Sequence, residues 1–348
     1  MTKRIKVSCL YDGEFAGYPN LFHPLGMSGL SHPDIDFGFA DDPEADAWFF
    51  HTVAIEPRRP RLVFHLEEVR ALACLDGPWL DSFPAPAVEG RLRALLESDR
   101  YKAIVTHLDL TDTGLRSYFR SDIIDAKIRR AALGIARKPD RTAVDRPFTL
   151  VFTNSFHHHP DNLVRRGFAE LLLAFRALRQ EVRDAQLLVY ARGLSAEPED
   201  GVTVISDSLD EEGIDRLYAR ADAAVLWAVD LHSHTTLRSI AMGCVTIVSD
   251  APGYAELVRT GATGFIVPGR YGRDCYVHPR GRTFSRRHIT EVNAEAAGRI
   301  AALLIELARD RDYTLAFARR AQETIRAERT LDDWQSDFGE IFLEAAAA

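Results

Sequence analysis

Cysteine is scarce. The 348 residues hold four, Cys9, Cys74, Cys244 and Cys275, with no CxxC spacing among them. That excludes a disulfide framework and gives no zinc site. The histidine run His157–His159 lacks any CxxC or HExxH company, so no metal is read from it either. Long apolar runs are missing too: none approaches the roughly 18 residues that a membrane-spanning helix needs. Positive charge is in deficit, with 43 Lys and Arg against 51 Asp and Glu and a net charge of −8. That balance argues against a nucleic-acid partner. The opening MTKRIKVSCLYDG starts basic but has no apolar signal core. The expectation is a cytoplasmic protein without a transmembrane segment, with peripheral membrane contact left open. There is no internal repeat, and the low-complexity content is the terminal AAAA.

What is present is apolar content, 46% of the chain, in short runs. At this length two domains are expected. IKVSCL (5–10), IDFGF (35–39), AWFFH (47–51), RLVFH (61–65) and KAIVTH (102–107) read as strands. Helix-period stretches lie between the later ones, as at 88–98, where Val88, Leu92, Leu95 and Leu96 share a face. Such alternation makes mostly parallel sheets covered by helices. The polar, proline-interrupted ARKPDRTAVDRP (136–147) reads as a linker. Beyond it FTLVF (148–152), QLLVYA (186–191), VTVIS (202–206), AAVLWAV (223–229) and VTIVSD (245–250) repeat the rhythm. A helix stripe of Phe168, Leu171, Leu172, Phe175, Leu178 and Val182 follows the first of these, and another helix spans 212–221. Helices at 294–309, 312–328 and from Leu331 close the chain. The fold class is α/β, two doubly wound Rossmann-like domains facing a cleft. The first domain runs over 1–140 with the C-terminal helix 331–348 packing back on it, and the second over 147–330. In such sheets ligands gather beyond the carboxyl ends of the strands.

The stretch DLHSHTTLRSIAMGCVTIVSDAPGYAELVRTGATGF (230–265) sets a helix, about 234–242, right after a strand and the turn Leu231-His232-Ser233. Ser233 is the expected N-cap, with Thr235 and Thr236 in the first turn, and Gly243 the left-handed terminator. A helix N-terminus there offers amide hydrogens and the positive dipole end to an anion, although most such turns in βα proteins are empty.

LRSIAMGCVTIVSDAPGYAELVRTGATGFIVPG resembles the donor-site segment of the family-4 glycosyltransferases, with Leu237, Ala241, Gly243, Ser249, Gly253, Glu256, Gly264, Val267 and Pro268 in step. RRGFAELLLAF resembles that family's Lys-Gly helix, with Arg166 and Gly167 in the Lys-Gly place, and LDDWQSDFGEIFLEA looks like its C-terminal helix. The resemblance covers about 150–348 and is only an order of elements before that. It implies a GT-B-like architecture and retaining, metal-independent transfer of a sugar from a nucleotide-sugar donor. No cofactor is implied beyond that co-substrate. The acceptor class stays open among sugars, lipid-linked, natural-product and protein acceptors of carbohydrate biosynthesis.

On that resemblance Arg166 is the expected diphosphate clamp, and Glu256 lies near the donor. The family's two glutamates, eight positions apart, correspond to Asp230 and Arg238 here. Asp230 keeps a carboxylate for sugar hydroxyls; Arg238 cannot accept hydrogen bonds and is expected against a phosphate, Asp230 or Glu256. His232, Ser233, His234 and Thr235 replace a glycine-rich turn and are donor-binding candidates, with Asn154 and Ser155 by position. In the first domain His65 is the expected catalytic-side histidine, with His51 and His107 at neighbouring strand ends. Gly13 and Gly17 stand where adjacent glycines are usual. Each has a plainer reading as cap, core or surface residue. The rival functional reading is a catalytically silent binding protein or partner subunit that lost the glutamate pair. The arginine- and aromatic-rich stretch 270–288 reads as a flap or as a solvated loop.

Overall fold

The computed structural model of the protein describes residues 4–9, 31–38, 42–51, 59–76, 86–143, 145–154, 160–191, 199–286 and 289–348. Ser155, His157–His159, Gly13 and Gly17 lie outside them. The chain divides into two compact units. One comprises Met1–Ala136, Val277–Arg287 and Arg329–Ala348, the other Arg137–Tyr276 and His288–Glu328.

In the first unit, β1 (Ile5–Cys9), β2 (Ile35–Gly38), β3 (Ala47–His51), β4 (Leu62–His65), β5 (Tyr101–Thr106) and β6 (Ile128–Arg130) form a parallel sheet in the order β2-β1-β3-β4-β5-β6. Helices α1 (Pro86–Glu97), α2 (Asp109–Phe119) and α3 (Asp122–Lys127) alternate with the later strands. Leu92 and Leu96 of α1 enter a core with Phe50, Phe64, Tyr101, Leu115 and Ile124. Neither α2, α3 nor the three-residue β6 stands out in the sequence, because their apolar positions are few and spread among charges.

In the second unit, β7 (Thr149–Thr153), β8 (Gln186–Tyr190), β9 (Val202–Ile205), β10 (Ala223–Leu226), β11 (Val245–Ser249) and β12 (Phe265–Val267) pair in the order β12-β11-β10-β7-β8-β9. Counted within the unit this is 6-5-4-1-2-3, the doubly wound order whose switch point lies between the first and fourth strands, here β7 and β10. Both are buried throughout, as strands covered on both faces must be. The helices are α4 (Pro160–Arg165), α5 (Phe168–Glu181), α6 (Glu211–Ala219), α7 (Ser233–Ala241), α8 (Tyr254–Leu257), α9 (Ala294–Arg309) and α10 (Arg311–Glu328). The expected α/β class with two doubly wound sheets is what the structure shows.

Two stretches differ from expectation. The polar 136–147 is fastened rather than solvated. The Arg141 guanidinium pairs with Asp222 at 2.9 Å, and its backbone N–H donates to Gln322 Oε1. The stretch 270–288 is not a solvated loop. Arg270 is fully buried, and the chain then forms β13 (Cys275–His278) and β14 (Arg282–Ser285) and joins the first unit. There Arg70 donates to Ser285 Oγ at 2.6 Å and Arg280 pairs with Glu89.

The last helix, α11 (Leu331–Ala347), packs onto the first sheet through aromatic edges. Phe338 and Phe342 lie 5.9 and 5.6 Å from the Phe49 ring, and Phe37 lies 5.6 Å from Phe342. Thr330 caps this helix by accepting from the Asp333 N–H. Phe338→Ala is expected to cost about 3–5 kcal/mol, transfer plus cavity, in urea unfolding. A loss under about 1 kcal/mol, ordinary for a surface position, would contradict that packing.

Candidate active site

The strongest concentration of buried charge around the second sheet's switch point begins with a close backbone approach. Gly167 sits at φ 77°, and a Cβ there would come 2.4 Å from the Trp227 carbonyl oxygen. Only glycine combines that left-handed backbone with that proximity. The Val229 N–H also donates to the Arg165 carbonyl at 2.9 Å. The turn after α4 is therefore pressed onto the segment after β10, and two adjacent arginines meet that segment's side chains.

Arg165 binds Asp230 through two nitrogens, at 2.5 and 3.1 Å from Oδ2. The Tyr254 hydroxyl donates to the Asp230 carbonyl. Arg166 donates to the Thr153 carbonyl at the end of β7, at 2.7 Å, and its other terminal nitrogen lies 3.0 Å from His232 Nδ1. A guanidinium only donates, so His232 Nδ1 accepts and a neutral ring carries its hydrogen on Nε2. Arg166 Nε is buried without a hydrogen-bond partner.

Arg166 is 5% exposed. Burial pushes its guanidinium down to about 10, which still leaves it charged at neutral pH. The other buried arginines of this unit have carboxylates. Arg141 has Asp222, Arg238 has Glu211 at 2.9 Å and Asp215 at 2.6 Å, and Arg270 has Asp274 at 2.8 Å with Glu170 at 3.5 Å. Arg166 has no ion pair among the described residues. Burying a charge in that condition is costly unless something anionic joins it.

The first turn of α7 contains no acidic residue, and its early amides have no acceptors within the helix. Ser233 is its first residue rather than the expected cap; His232 takes the cap position, with no side-chain hydrogen bond to the helix. The left-handed Gly243, at φ 72°, ends it as the sequence predicts. The structure thus brings together Asn154, Arg166, Asp230, His232 and Ser233. Thr235 instead lines a small pocket with Thr153, Tyr218, Leu226, Ser239 and Thr246. His234 lies under the charges of Arg238 and Lys138, and burial, with these charges, lowers its imidazole to about 3. Glu256 is half-buried on α8.

Arg238 faces α6, pairing with Glu211 and Asp215 rather than with Asp230 or Glu256 as expected. Its side chain is 4% exposed, and it also donates to the Glu211 carbonyl. Sequence reasoning passed over Arg165, although its doublet with Arg166 is visible, and passed over the acidic face of α6, visible as Glu211, Glu212 and Asp215.

In the first unit, the three strand-end histidines meet. The parallel register sets His51 opposite His65, and His107 follows two residues after Val105, the partner of His65. His51 Nδ1 and His65 Nδ1 are 2.6 Å apart, and His65 Nε2 and His107 Nδ1 are 3.2 Å apart. The rings stack at 4.8 and 5.3 Å. Burial pushes His51 and His107 down to about 3 and His65 well below its usual value. Each is held neutral.

Residues 147–274, within the second unit, match the family model described as "Glycosyl transferases group 1". No curated protein matches the chain. Among solved structures, HepE from Anabaena, crystallised with UDP-glucose, is 13% identical with a TM-score of 0.63, covering 97% of this chain and 99% of its own. Sucrose-phosphate synthase from Thermosynechococcus elongatus is 12% identical with a TM-score of 0.65, covering 99% and 100%. The pneumococcal O-GlcNAc transferase GtfA, crystallised with UDP and GlcNAc, is 12% identical with a TM-score of 0.59, covering 86% and 57%. These likenesses extend the fold over both units. Among the described residues no helix is long and apolar enough to cross a membrane.

Two outcomes follow from the charges. Arg238→Ala leaves Glu211 and Asp215 without their cation, and is expected to cost about 1–3 kcal/mol once partial solvent screening is allowed for, read by urea unfolding. The histidines give a pH signature. Below their unfolded value of 6.5 the unfolded chain binds protons that the folded chain refuses. Stability is therefore fully present above that value and falls as the pH drops toward about 3, by up to about 1.4 kcal/mol per pH unit for each histidine. Unfolding free energies that stay level between pH 7 and 5 would refute it.

Proposed function

We propose that the chain is a glycosyltransferase that moves a sugar from a nucleotide-sugar donor to an acceptor hydroxyl, with retention at the transferred carbon. The observation that carries this reading is Arg166, a buried cation with no ion-paired carboxylate among the described residues, at the switch point and beside the first turn of α7. A diphosphate supplies the missing anion. The group 1 match over 147–274 and the UDP complexes of fold neighbours support a nucleotide sugar as its source.

In this reading Arg166, the α7 amides and the His232 Nε2 hydrogen meet the charge that grows on the leaving diphosphate, the electrostatic task that a metal performs elsewhere. Asp230, immobilised by Arg165, accepts hydrogen bonds from the sugar through its remaining lone pairs. Asn154 lies at the end of β7 beside them. Ser155 keeps its positional candidacy, and Glu256 a place near the sugar. The first unit, with His65 among its histidines, takes the acceptor side. Arg238 acts on the donor indirectly, by fixing α7 against α6.

One observation favours the rival reading. Both positions corresponding to the paired glutamates are engaged in ion pairs, Asp230 with Arg165 and Arg238 with α6. A silent binding protein would keep the anion site and lose turnover, so binding and transfer are measured separately.

Calorimetry with UDP, GDP and ADP is expected to find one diphosphate that binds, and Arg166→Met to weaken it about 10- to 150-fold, the 1.5–3 kcal/mol of a charge-assisted hydrogen bond. The same substitution should leave the melting temperature of the unliganded protein unchanged or raised, since it removes an uncompensated buried charge. A fall in unliganded stability with unaltered nucleotide affinity would overturn the assignment. Turnover of the matching nucleotide sugars then separates enzyme from silent binder.

A further inference from the structure

Arg270 follows β12 by three residues, and its side chain lies wholly inside the second unit. Two of its partners are carboxylates, Asp274 at 2.8 Å and Glu170 at 3.5 Å, which balance its charge. Two more are backbone carbonyls. Nε donates to the Trp227 carbonyl at 3.2 Å, and a terminal nitrogen to that of Val164 at 3.4 Å. The guanidinium carbon also stands 4.0 Å from the centre of the Trp227 ring, whose own N–H donates to the Val267 carbonyl at 2.8 Å. Val164 is in the last turn of α4, directly before Arg165 and Arg166. Trp227 directly follows β10 and opens the segment that carries Asp230 and His232. One planar cation therefore donates to both segments that build the anion site.

We infer that Arg270 is a positioning residue for Arg166: it clamps the end of α4 to the start of the segment after β10, and so fixes where the Arg166 guanidinium stands. The donors of a guanidinium diverge in one plane, so it can reach a carbonyl on each segment while also pairing with carboxylates; a lysine ammonium has all its donors on one atom. Displacing Arg270 would leave Asp274 and Glu170 buried without their cation, which is costly. Glu170 is held in turn, accepting from the Asn293 N–H at 3.1 Å.

The clamp is anchored outside the two segments it joins. Asp250, at the end of β11, accepts from the N–H groups of Gly269, Arg270 and Tyr271 at 3.1, 2.8 and 2.9 Å. The Trp227 oxygen that accepts from Arg270 is the one that Gly167 passes closely. The approach that Gly167 permits is thus the approach that Arg270 closes. Arg166 needs this help because its own contacts, the Thr153 carbonyl and His232, include no ion pair among the described residues. Use of Arg166 against a diphosphate rests on the function proposed above; the clamp does not.

The first test is amide hydrogen exchange of the unliganded full-length protein. Arg270→Lys keeps a charge for Asp274 and Glu170 but cannot span both carbonyls. It should speed exchange of the Val229 N–H, which bonds the Arg165 carbonyl, by about 10-fold or more relative to the Asp222 N–H, which bonds the Thr149 carbonyl at the opposite end of β10. Equal changes at the two amides, or none at Val229, would overturn the proposal. Asp274→Asn weakens an ion pair and leaves both carbonyl contacts, so it should move the two amides alike; a selective effect there would assign the result to charge pairing instead. Asp250→Asn, a milder loosening of the loop that carries Arg270, should shift Val229 in the same direction, and it decides the matter where the lysine variant does not fold.

The second test is calorimetry with UDP, GDP and ADP. Arg270→Lys should weaken the diphosphate that binds by about 3- to 100-fold, and should add less than about 2-fold on top of Arg166→Met, because it acts through Arg166. Losses that multiply would overturn the assignment. If none of the three binds the unsubstituted protein, it is the functional reading that fails, and the exchange result alone decides the clamp.

Discussion

A buried guanidinium with no ion pair among the described residues governs the second unit. Arg166 reaches its position because Gly167 lets the chain pass against the Trp227 carbonyl, where any side chain would collide. Its contacts, a backbone carbonyl and an imidazole nitrogen, are polar but neutral. Beside it, Arg165 pairs with a carboxylate and Arg166, among the described residues, does not, although the two are consecutive. Sequence order alone cannot distinguish such neighbours. The difference is that one side chain points along the post-β10 segment to Asp230, while the other turns inward under the end of β7.

The α6–α7 contact shows that the charge at position 238 belongs to the packing of two helices. A glutamate at position 238 would stand among Glu211 and Asp215, three carboxylates in a mostly buried place, which like-charge repulsion forbids. The arginine reverses that: it neutralises both and draws α7 onto α6. Glu211 in the first turn of α6, useful at a helix N-terminus, and Asp215 one turn on supply the partners for Arg238 of α7. The two helices therefore have to be read as one charge-matched pair.

The βα rhythm and most strands are legible in the sequence because runs buried on both faces are almost wholly apolar, as AAVL and VTIVS are. The helices with wide apolar stripes, at 168–181 and 294–309, are legible for the same reason. What escapes is what depends on pairing at a distance. Arg141 makes a polar linker into a buried anchor, and Arg270 and Arg282 make an arginine-rich stretch part of the interior. Their charges read as solvated until the fold shows Arg141 against Asp222 and Arg270 against Glu170 and the Trp227 carbonyl, tens of residues away. The site is legible to a similar depth. Arg166, Asp230 and His232 are visible as residues at strand and helix ends. The opposite destinations of Asp230 and Arg238 are not, since they depend on the packing of α4 and α6.

The three histidines make the same point from the first unit. In sequence, His51, His65 and His107 are three strand ends; parallel register turns them into one stacked row, because equivalent positions on neighbouring parallel strands lie side by side. Burial then removes the option of charge from each ring. A row of neutral imidazoles has only its hydrogen positions left to vary. The second unit buries a guanidinium that has no ion pair among the described residues, whereas the first buries neutral rings that meet nitrogen to nitrogen. These are contrasting answers to the rule that buried polar groups must be satisfied. In one the burden falls on a fixed charge, in the other on where the hydrogens sit.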